Sequence, residues 1–336
     1  MRSTSSPGLR ISLALALFAW VAPCSAQPTA QSAAPLKAVR VAITVDDIPE
    51  NGDDLKTQSR YAIAHGIIHA LKANGLVGTY GFANGYGIDD TPGEIAILKE
   101  WLRAGNPLGN HTYDHLSLDQ VEASVFNANI SKLDALLETL SPVSPLIARR
   151  RVFRYPYLEE GNTLEKRDAV RKYLAENGYQ IAEVTTDYDD WAWNAAYIRC
   201  TRSNDQRSIK WLKRNIIIDA ESRIKSVSEV AQKLFGRNAA QIVLVHDCAL
   251  EALVLDSTLA RLRADGATLI SLDEALSDPA YRINPNITTE SGRWFFEQIA
   301  ASRAVDTEAL EDNTYTVERL SAVCAQNTAK TPLHQQ

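Results

Sequence analysis

The stretch Val41-Ala-Ile-Thr-Val-Asp-Asp-Ile-Pro49 decides how this chain is interpreted. Five residues typical of a buried strand run directly into two adjacent aspartates and a proline. Neighbouring side chains of a regular strand point to opposite faces, so one of the two carboxylates would be buried without a partner. The purpose of Asp46 and Asp47 therefore depends on what the chain places at the ends of its other strands.

The overall composition is that of a globular protein. The chain has 336 residues, of which 45% are hydrophobic and 23% charged, and its formal net charge is −6. This acidic balance offers neither the basic surface that nucleic acid requires nor a polybasic patch for a membrane. We therefore expect no nucleic-acid partner.

The segment 1–26 predicts a secretory signal peptide. Two arginines precede the apolar run Ile11–Ala22, and small residues up to Ala26 provide a cleavage site. The run is too short to span a bilayer comfortably. We expect an exported protein, periplasmic or extracellular, with no transmembrane segment after cleavage. A lipid anchor at Cys24 is the alternative, which the preceding Pro23 disfavours.

The cysteines that follow the signal peptide are Cys200, Cys248 and Cys324. An oxidising compartment permits one disulfide and leaves one thiol, and the sequence does not choose the pairing. A thiol nucleophile at Cys248, beside His246 and Asp247, is disfavoured because the members of a catalytic triad normally meet across the fold.

Short strand-like runs alternate with amphipathic helical segments along residues 38–280, after a leader at 27–37 whose composition predicts disorder. Such alternation predicts a parallel sheet flanked by helices, either open or closed into a barrel. The predicted strands are Val39–Val45, Leu76–Phe82, Val152–Tyr155, Tyr179–Val184, Gln241–His246 and Ala267–Ile270, with a short segment at Asn106–Gly109.

Two segments exceed what a simple alternation needs. Residues 192–240 are longer than one crossover, and helix-like pieces at 209–217 and 224–235 predict a helical insertion. Residues 281–336 predict a C-terminal extension with a helix near Trp294–Ala300 and a polar tail.

Ionisable residues follow most of the predicted strands. Sites in parallel α/β folds are built from the loops at the carboxyl ends of strands, so we expect these residues to meet. They are Asp46 and Asp47, the segment Asn110–His115, the segment Arg154–Tyr157, the segment Asp187–Trp191, and His246 with Asp247.

His111 and His115 are four residues apart, so a helical turn would project both imidazoles from one face. A strand-end aspartate is a suitable third ligand, and two histidines with one carboxylate are typical of a catalytic metal site. His65 and His69 have the same spacing without a following carboxylate, and we interpret them as solvated surface histidines.

Taken together, the ordered motifs are Thr44-Val-Asp-Asp, His111-Thr-Tyr-Asp-His115, Arg154-Tyr-Pro-Tyr157, Asp187-Tyr-Asp-Asp-Trp191 and Leu244-Val-His246. In this order they resemble the motifs of the polysaccharide deacetylases, carbohydrate esterase family four, over about Val39 to Leu276. The resemblance implies a distorted (β/α) barrel, here with about seven parallel strands, the helical insertion and the C-terminal extension.

The same resemblance implies a metal-dependent hydrolase that removes acetyl groups from N-acetylated amino sugars. Zn²⁺ is the expected metal, with Co²⁺, Ni²⁺ and Mn²⁺ as alternatives. Motif by motif, Asp47, His111 and His115 would bind the metal. Asp46 would act as general base, and Arg154 would orient it.

The remaining motifs imply roles around the acetyl group. The backbone N–H of Tyr157 would stabilise the oxyanion. His246, held by Asp190, would protonate the leaving group. Trp191 and Leu244 would wall the acetyl pocket.

Two departures from the family pattern concern the substrate groove. Ile48 and Leu158 stand where the family has glycine, and we expect both side chains at the rim of the cavity. A narrowed rim favours a short oligosaccharide or another small acylated compound over an open polymer chain.

Other functions stay open. An O-acetyl carbohydrate esterase such as an acetylxylan esterase would use the same parts, although the His246–Asp190 pair favours an amine leaving group. A non-catalytic glycan-binding module should have lost a ligand, the base or the acid. An iron-dependent oxygenase also uses two histidines and a carboxylate but requires no adjacent base or distant acid.

Overall fold

The structure, a computed structural model, describes residues 1, 39–53, 55–85, 88, 93–148, 151–288, 292–307 and 314–325. Apart from Met1, the predicted signal peptide and leader lie outside the described residues. Over the described part of the chain, no helix combines the length and the apolar composition needed to cross a membrane.

The fold is built on a parallel sheet. Its strands are β1 (Arg40–Ile48), β2 (Gly81–Ala83), β3 (Leu108–Asn110), β4 (Val152–Phe153), β5 (Gln180–Ile181), β6 (Thr186–Asp187), β7 (Gln241–His246) and β8 (Thr268–Ile270). Within the described ranges, seven strands follow the order β5-β4-β3-β2-β1-β7-β6, and β8 pairs with the first residues of β1. The sheet curls into a half-barrel, which confirms the predicted distorted (β/α) barrel.

Helices surround this sheet. They are α1 (Arg60–Ala73), α2 (Ile95–Arg103), α3 (Ala123–Glu138), α4 (Leu164–Glu176), α5 (Asp190–Arg202), α6 (Gln206–Phe235), α7 (Glu251–Ala264), α8 (Leu272–Leu276), α9 (Phe295–Ser302) and α10 (Val317–Ala322), with 3₁₀ turns at Pro145–Ala148, Pro156–Leu158 and Pro279–Arg282. The central strand β1 is buried on both faces, as expected for a parallel strand covered by helices.

The helical insertion differs from its prediction in one respect. α6 is a single helix of 30 residues, so the expectation of two separate pieces was wrong. Leu212, Ile216, Ala220 and Ile224 form one buried stripe with a spacing of four. Ala220 is small and weakly apolar, and the stripe therefore looks interrupted in the sequence.

The C-terminal extension is joined to the helical insertion by a disulfide. Among the described cysteines, Cys200 in α5 pairs with Cys324 just after α10, with their Cα atoms 5.3 Å apart, and Cys248 is a buried thiol. This pairing resolves the choice that the sequence left open.

We expect peptide mapping of the unreduced protein to recover the Cys200 and Cys324 peptides as one disulfide-linked species. Cys248 should react with iodoacetamide only after denaturation, because its side chain is buried. A linked peptide that contains Cys248 would contradict the assignment.

Asp278, whose side chain is 1% exposed, forms a second cross-link between distant parts of the chain. Its carboxylate accepts hydrogen bonds from Arg237 at 2.6 and 2.8 Å and from Arg40 at 3.1 Å. Burial would raise the pKa of Asp278, but the hydrogen bonds from Arg237 and from the N–H groups of Ala280 and Ala240 lower it to about 2.

Because this folded-state pKa lies below the unfolded value, Asp278 stabilises the fold above about pH 4, and the effect is lost as the pH falls towards 2. An Asp278→Asn variant should lower the free energy of unfolding by about 1–3 kcal/mol at pH 7 in denaturant titrations, and by less as the pH falls from 4. Glu274→Gln is the control, since Glu274 is 51% exposed and lies 3.7 Å from Arg40. Equal losses in the two variants would refute this role.

Candidate active site

The end of β1 contains an irregularity that turns both aspartates into one cleft. Val45 pairs with Gly81 and Ile48 with Ala83, so β1 has one more residue than β2 over this interval. Asp47 takes a left-handed backbone conformation, with φ at 59°. Such a bulge re-aims side chains beside a site. Asp46 and Asp47 consequently line the same cleft.

Asp46 is buried against a guanidinium. Both of its carboxylate oxygens lie 3.0 Å from Nη1 of Arg154. Arg154 is itself fixed, because Nη2 donates to Thr44 Oγ1 at 3.1 Å and Nε donates to the carbonyl of Ala182 at 2.7 Å. Burial raises the pKa of Asp46 to about 6 against the opposing effect of the Arg154 charge.

Asp47 is held by two amides and faces two imidazoles. Asn84 donates to Oδ1 at 3.0 Å and Asn51 donates to Oδ2 at 2.8 Å. Oδ1 lies 3.2 Å from His115 Nε2 and 3.6 Å from His111 Nε2. Burial alone would raise the pKa of Asp47, but the charges of His115 and His111 reverse the shift and lower it.

The tautomer of His111 follows from its surroundings. Its Nδ1 lies 2.8 Å from the carbonyl oxygen of Arg154. A carbonyl only accepts hydrogen bonds, so Nδ1 carries the proton and Nε2 presents its lone pair towards Asp47. Burial lowers the pKa of His111 to about 3, which favours the neutral ring.

The two histidines meet without a helical turn. Thr112 and His115 both have left-handed backbone conformations, with φ at 60° and 51°, so the expected helical geometry was wrong. The chain instead follows tertiary hydrogen bonds, such as His111 N–H to the carbonyl of Ala83 at 2.9 Å. The ring centroids of His111 and His115 still lie 4.9 Å apart.

The donor set fits a divalent metal ion. One atom each from Asp47, His111 and His115 lies within 4.8 Å of the other two. A carboxylate with two neutral imidazoles is a typical ligand set for Zn²⁺ and for other borderline metals. His65 and His69, by contrast, are exposed on α1.

Both oxygens of the Asp190 carboxylate contact His246. Asp190 Oδ1 lies 2.5 Å from Nδ1, and Oδ2 accepts the backbone N–H of His246 at 2.7 Å. Burial alone would lower the pKa of His246, but Asp190 raises it to about 10. The Nε2 atom lies 4.0 Å from Asp47 Oδ2, on the cleft side of the ring.

The cleft at these strand ends has a volume of about 1170 Å³, and eight of the ten predicted site residues line it. Arg154 and Asp190 lie behind it and hold Asp46 and His246. Tyr157 and Trp191 are 57% and 43% exposed on its walls, whereas Leu244 is buried. The eight lining residues are Asp46, Asp47, His111, His115, Tyr157, Trp191, Leu244 and His246.

One expectation about the rim was wrong. Ile48 is fully buried and packs against Gly81, where an added Cβ would lie 2.3 Å from its Cδ1. It therefore belongs to the core and does not narrow the cleft. Leu158 does line the cleft.

The site also contains residues that were not predicted from the sequence. Asn84 follows β2 directly, so the strand-end rule could have found it. Asn51 gave no such signal. The C-terminal segment contributes Arg293, Trp294 and Glu297 to the cleft, and nothing local in the sequence distinguishes them.

Comparison with known proteins agrees with this architecture. Residues 33–182 match the family model described as Polysaccharide deacetylase. The chain is 28% identical over 157 residues to the peptidoglycan-N-acetylglucosamine deacetylase of Bacillus cereus, covering 47% of this chain and 48% of that protein. It is 25% identical over 239 residues to the peptidoglycan-N-acetylglucosamine deacetylase of Listeria monocytogenes, covering 70% and 38%. The resemblance drawn from the five motifs is thereby confirmed.

The chain spans about half or less of the length of these curated relatives. Among solved structures, the chitin deacetylase of Colletotrichum lindemuthianum is similar at 19% identity with a TM-score of 0.48, covering 73% of this chain and 91% of that one. The family match ends before Asp190 and His246; in the second half of the chain, His246 lines the cleft and Asp190 holds it from behind.

We expect the protein to bind one equivalent of Zn²⁺ in isothermal titration calorimetry. A His111→Ala/His115→Ala double variant should bind about 100-fold more weakly or not at all, since two ligands are lost. The matched control is His65→Ala/His69→Ala, which removes an equally spaced pair on α1. If only the control lost Zn²⁺ binding, the cleft would not be the metal site.

Proposed function

We propose that the protein is a metal-dependent hydrolase that removes acetyl groups from N-acetylated amino sugars of an oligo- or polysaccharide. One observation carries the proposal. Asp46, a carboxylate held by a guanidinium, and His246, an imidazole held by a carboxylate, line one cleft together with Asp47. The relatives named as peptidoglycan-N-acetylglucosamine deacetylases support this class of substrate.

In this proposal Asp47, His111 and His115 hold the divalent cation, with Zn²⁺ expected first and Co²⁺, Ni²⁺ or Mn²⁺ as alternatives. When bound, such a cation lowers the pKa of water towards about 7 and polarises a carbonyl. Asn51 and Asn84 keep the carboxylate of Asp47 turned towards the imidazoles.

Asp46 is assigned the role of general base, taking a proton from the attacking water on its carboxylate. Arg154 holds that carboxylate in place from behind the cleft, since Nη1 contacts both oxygens. The backbone N–H of Tyr157 is assigned to the oxyanion, and Trp191 and Leu244 to the walls around the acetyl methyl group.

His246 is assigned the role of general acid. Its pKa of about 10 keeps a proton on the ring at neutral pH. Nε2 faces the cleft and would donate this proton to the departing nitrogen, while Asp190 stabilises the imidazolium through Nδ1.

This retained proton favours an amide substrate over an ester, because an amine leaves only when protonated. An O-acetyl carbohydrate esterase is the second candidate, since the same residues would serve it. A non-catalytic module is disfavoured because the proposed metal ligands, base and acid are all present. An iron-dependent oxygenase would require neither the Asp46–Arg154 nor the His246–Asp190 pair.

We also propose that residues 1–26 direct export to the periplasm or the cell exterior, where an acetylated glycan would be met. Their apolar run and cleavage site support this.

An acetate-release screen over chitooligosaccharides, peptidoglycan and acetylated xylan tests the function. We expect release from an N-acetylated substrate, loss of release with a chelator, and recovery with Zn²⁺. Release from xylan alone would establish the esterase instead, and unchanged release by metal-free protein would refute metal dependence.

The role of Asp46 has its own test. Asp46→Asn should lower kcat/KM by at least about 100-fold, because the amide cannot take the proton. Zn²⁺ binding should persist in this variant, since the proposed ligands are intact. Asp168→Asn on α4 is the control, with a carboxylate that is 63% exposed and outside the cleft. Full activity in Asp46→Asn would remove the mechanism.

A further inference from the structure

We propose that the C-terminal segment 292–297 forms a wall of the substrate cleft, and that Trp294 binds the sugar ring adjacent to the one that loses its acetyl group. This inference rests on the proposed function and names a further specificity-determining residue. It follows from how the segment is fastened, from where Trp294 lies and from what its side chain can bind.

The segment is fastened to the barrel at several points. The N–H of Phe295 donates to the carbonyl of Val184 at 2.7 Å, close to the sheet edge that carries the site. Phe295 and Phe296 are each 1% exposed. Gln298 donates to Glu160 at 2.9 Å in the interior. A segment held in this way can present a side chain in a fixed position.

Gly292 brings the segment directly against the loop of the third motif. An added Cβ there would lie 2.2 Å from the carbonyl oxygen of Tyr157, and φ is +74°. Only glycine fits both the contact and the left-handed conformation without a shift of the backbone. The extension and the loop that carries Tyr157 are therefore packed as one wall.

Trp294 lies on this wall, half-buried, and lines the same cleft as Trp191. Its ring is held before any substrate arrives, because the Arg223 guanidinium lies 5.5 Å from the ring centroid. Arg223 is in turn bonded to Asp189 at 3.2 Å, next to the start of α5. The indole is thus preorganised, which reduces the entropic cost of binding.

The chemistry of this wall matches a pyranose ring. Such a ring has apolar C–H faces and polar hydroxyls at its edge. An indole offers a large flat apolar surface, and the flanking Arg293 and Glu297 offer polar groups for hydroxyl or acetamide hydrogen bonds. Trp191 and Leu244 already serve the acetyl group in the proposed mechanism, so Trp294 is a separate surface for a neighbouring ring.

The test compares substrates with one and with several rings. Trp294→Ala should raise the KM for a pentamer of N-acetylglucosamine about 5- to 10-fold with little change in kcat, since only binding of the neighbouring ring is lost. Activity towards the monosaccharide should change less than about 2-fold. Trp294→Phe should recover most of the pentamer affinity, because an aromatic face is restored.

Trp211→Ala is the matched control. Trp211 is 39% exposed, lies on α6 and packs against Trp193 and Tyr315, outside the cleft lining. The control should leave the pentamer KM unchanged. An unchanged KM in Trp294→Ala, or an equal loss on both substrates, would overturn the inference.

Failure of the proposed function would look different. In that case the wild type would release no acetate from any glycan, and pentamer binding would be measured directly by titration calorimetry. Weaker pentamer binding by Trp294→Ala than by Trp211→Ala would then support the role of Trp294 in binding a sugar ring, even without turnover. Equal binding by the two variants and the wild type would reject it.

Discussion

The burial of two adjacent carboxylates at the end of β1 is the constraint on which the site depends. Asp46 and Asp47 are only 1% and 7% exposed, and buried charges without partners are costly. Asp46 is compensated by Arg154, which lies 108 residues further along the chain. Asp47 is compensated by hydrogen bonds from the side-chain amides of Asn84 and Asn51. When β2, β3 and β4 assemble beside β1, they therefore bring partners to the buried carboxylates and form the cleft at the same time.

The strand-end rule made most of the site predictable from the sequence. The bounds of β7 agree with the prediction, and its last residue, His246, lies in the cleft. Short, polar strands were harder to predict. β6 at Thr186–Asp187 was missed because two residues are too few to show the alternating hydrophobic pattern of a strand. The rings of His111 and His115 lie close together, as their spacing predicted, but tertiary hydrogen bonds, which local spacing does not encode, set the loop conformation.

The position of the C-terminal extension could not be predicted from local sequence patterns. Trp294, Phe295 and Phe296 are consecutive aromatic residues, and two enter the core while the first faces the cleft. Which of them is buried and which faces the cleft depends on two contacts between distant parts of the chain. Gly292 packs against the carbonyl of Tyr157, and the N–H of Phe295 donates a hydrogen bond to the carbonyl of Val184. The extension thus adds residues to a cleft whose ionisable groups come mainly from the strand ends.

Asp47, His111 and His115 are proposed to bind a single cation, and anomalous diffraction can locate that ion in crystals. Crystals grown with Zn²⁺ should give one strong anomalous peak at the zinc edge, within bonding distance of Asp47, His111 and His115. A peak at His65 and His69, or a cleft without density in zinc-saturated crystals, would show that the cleft is not the metal site.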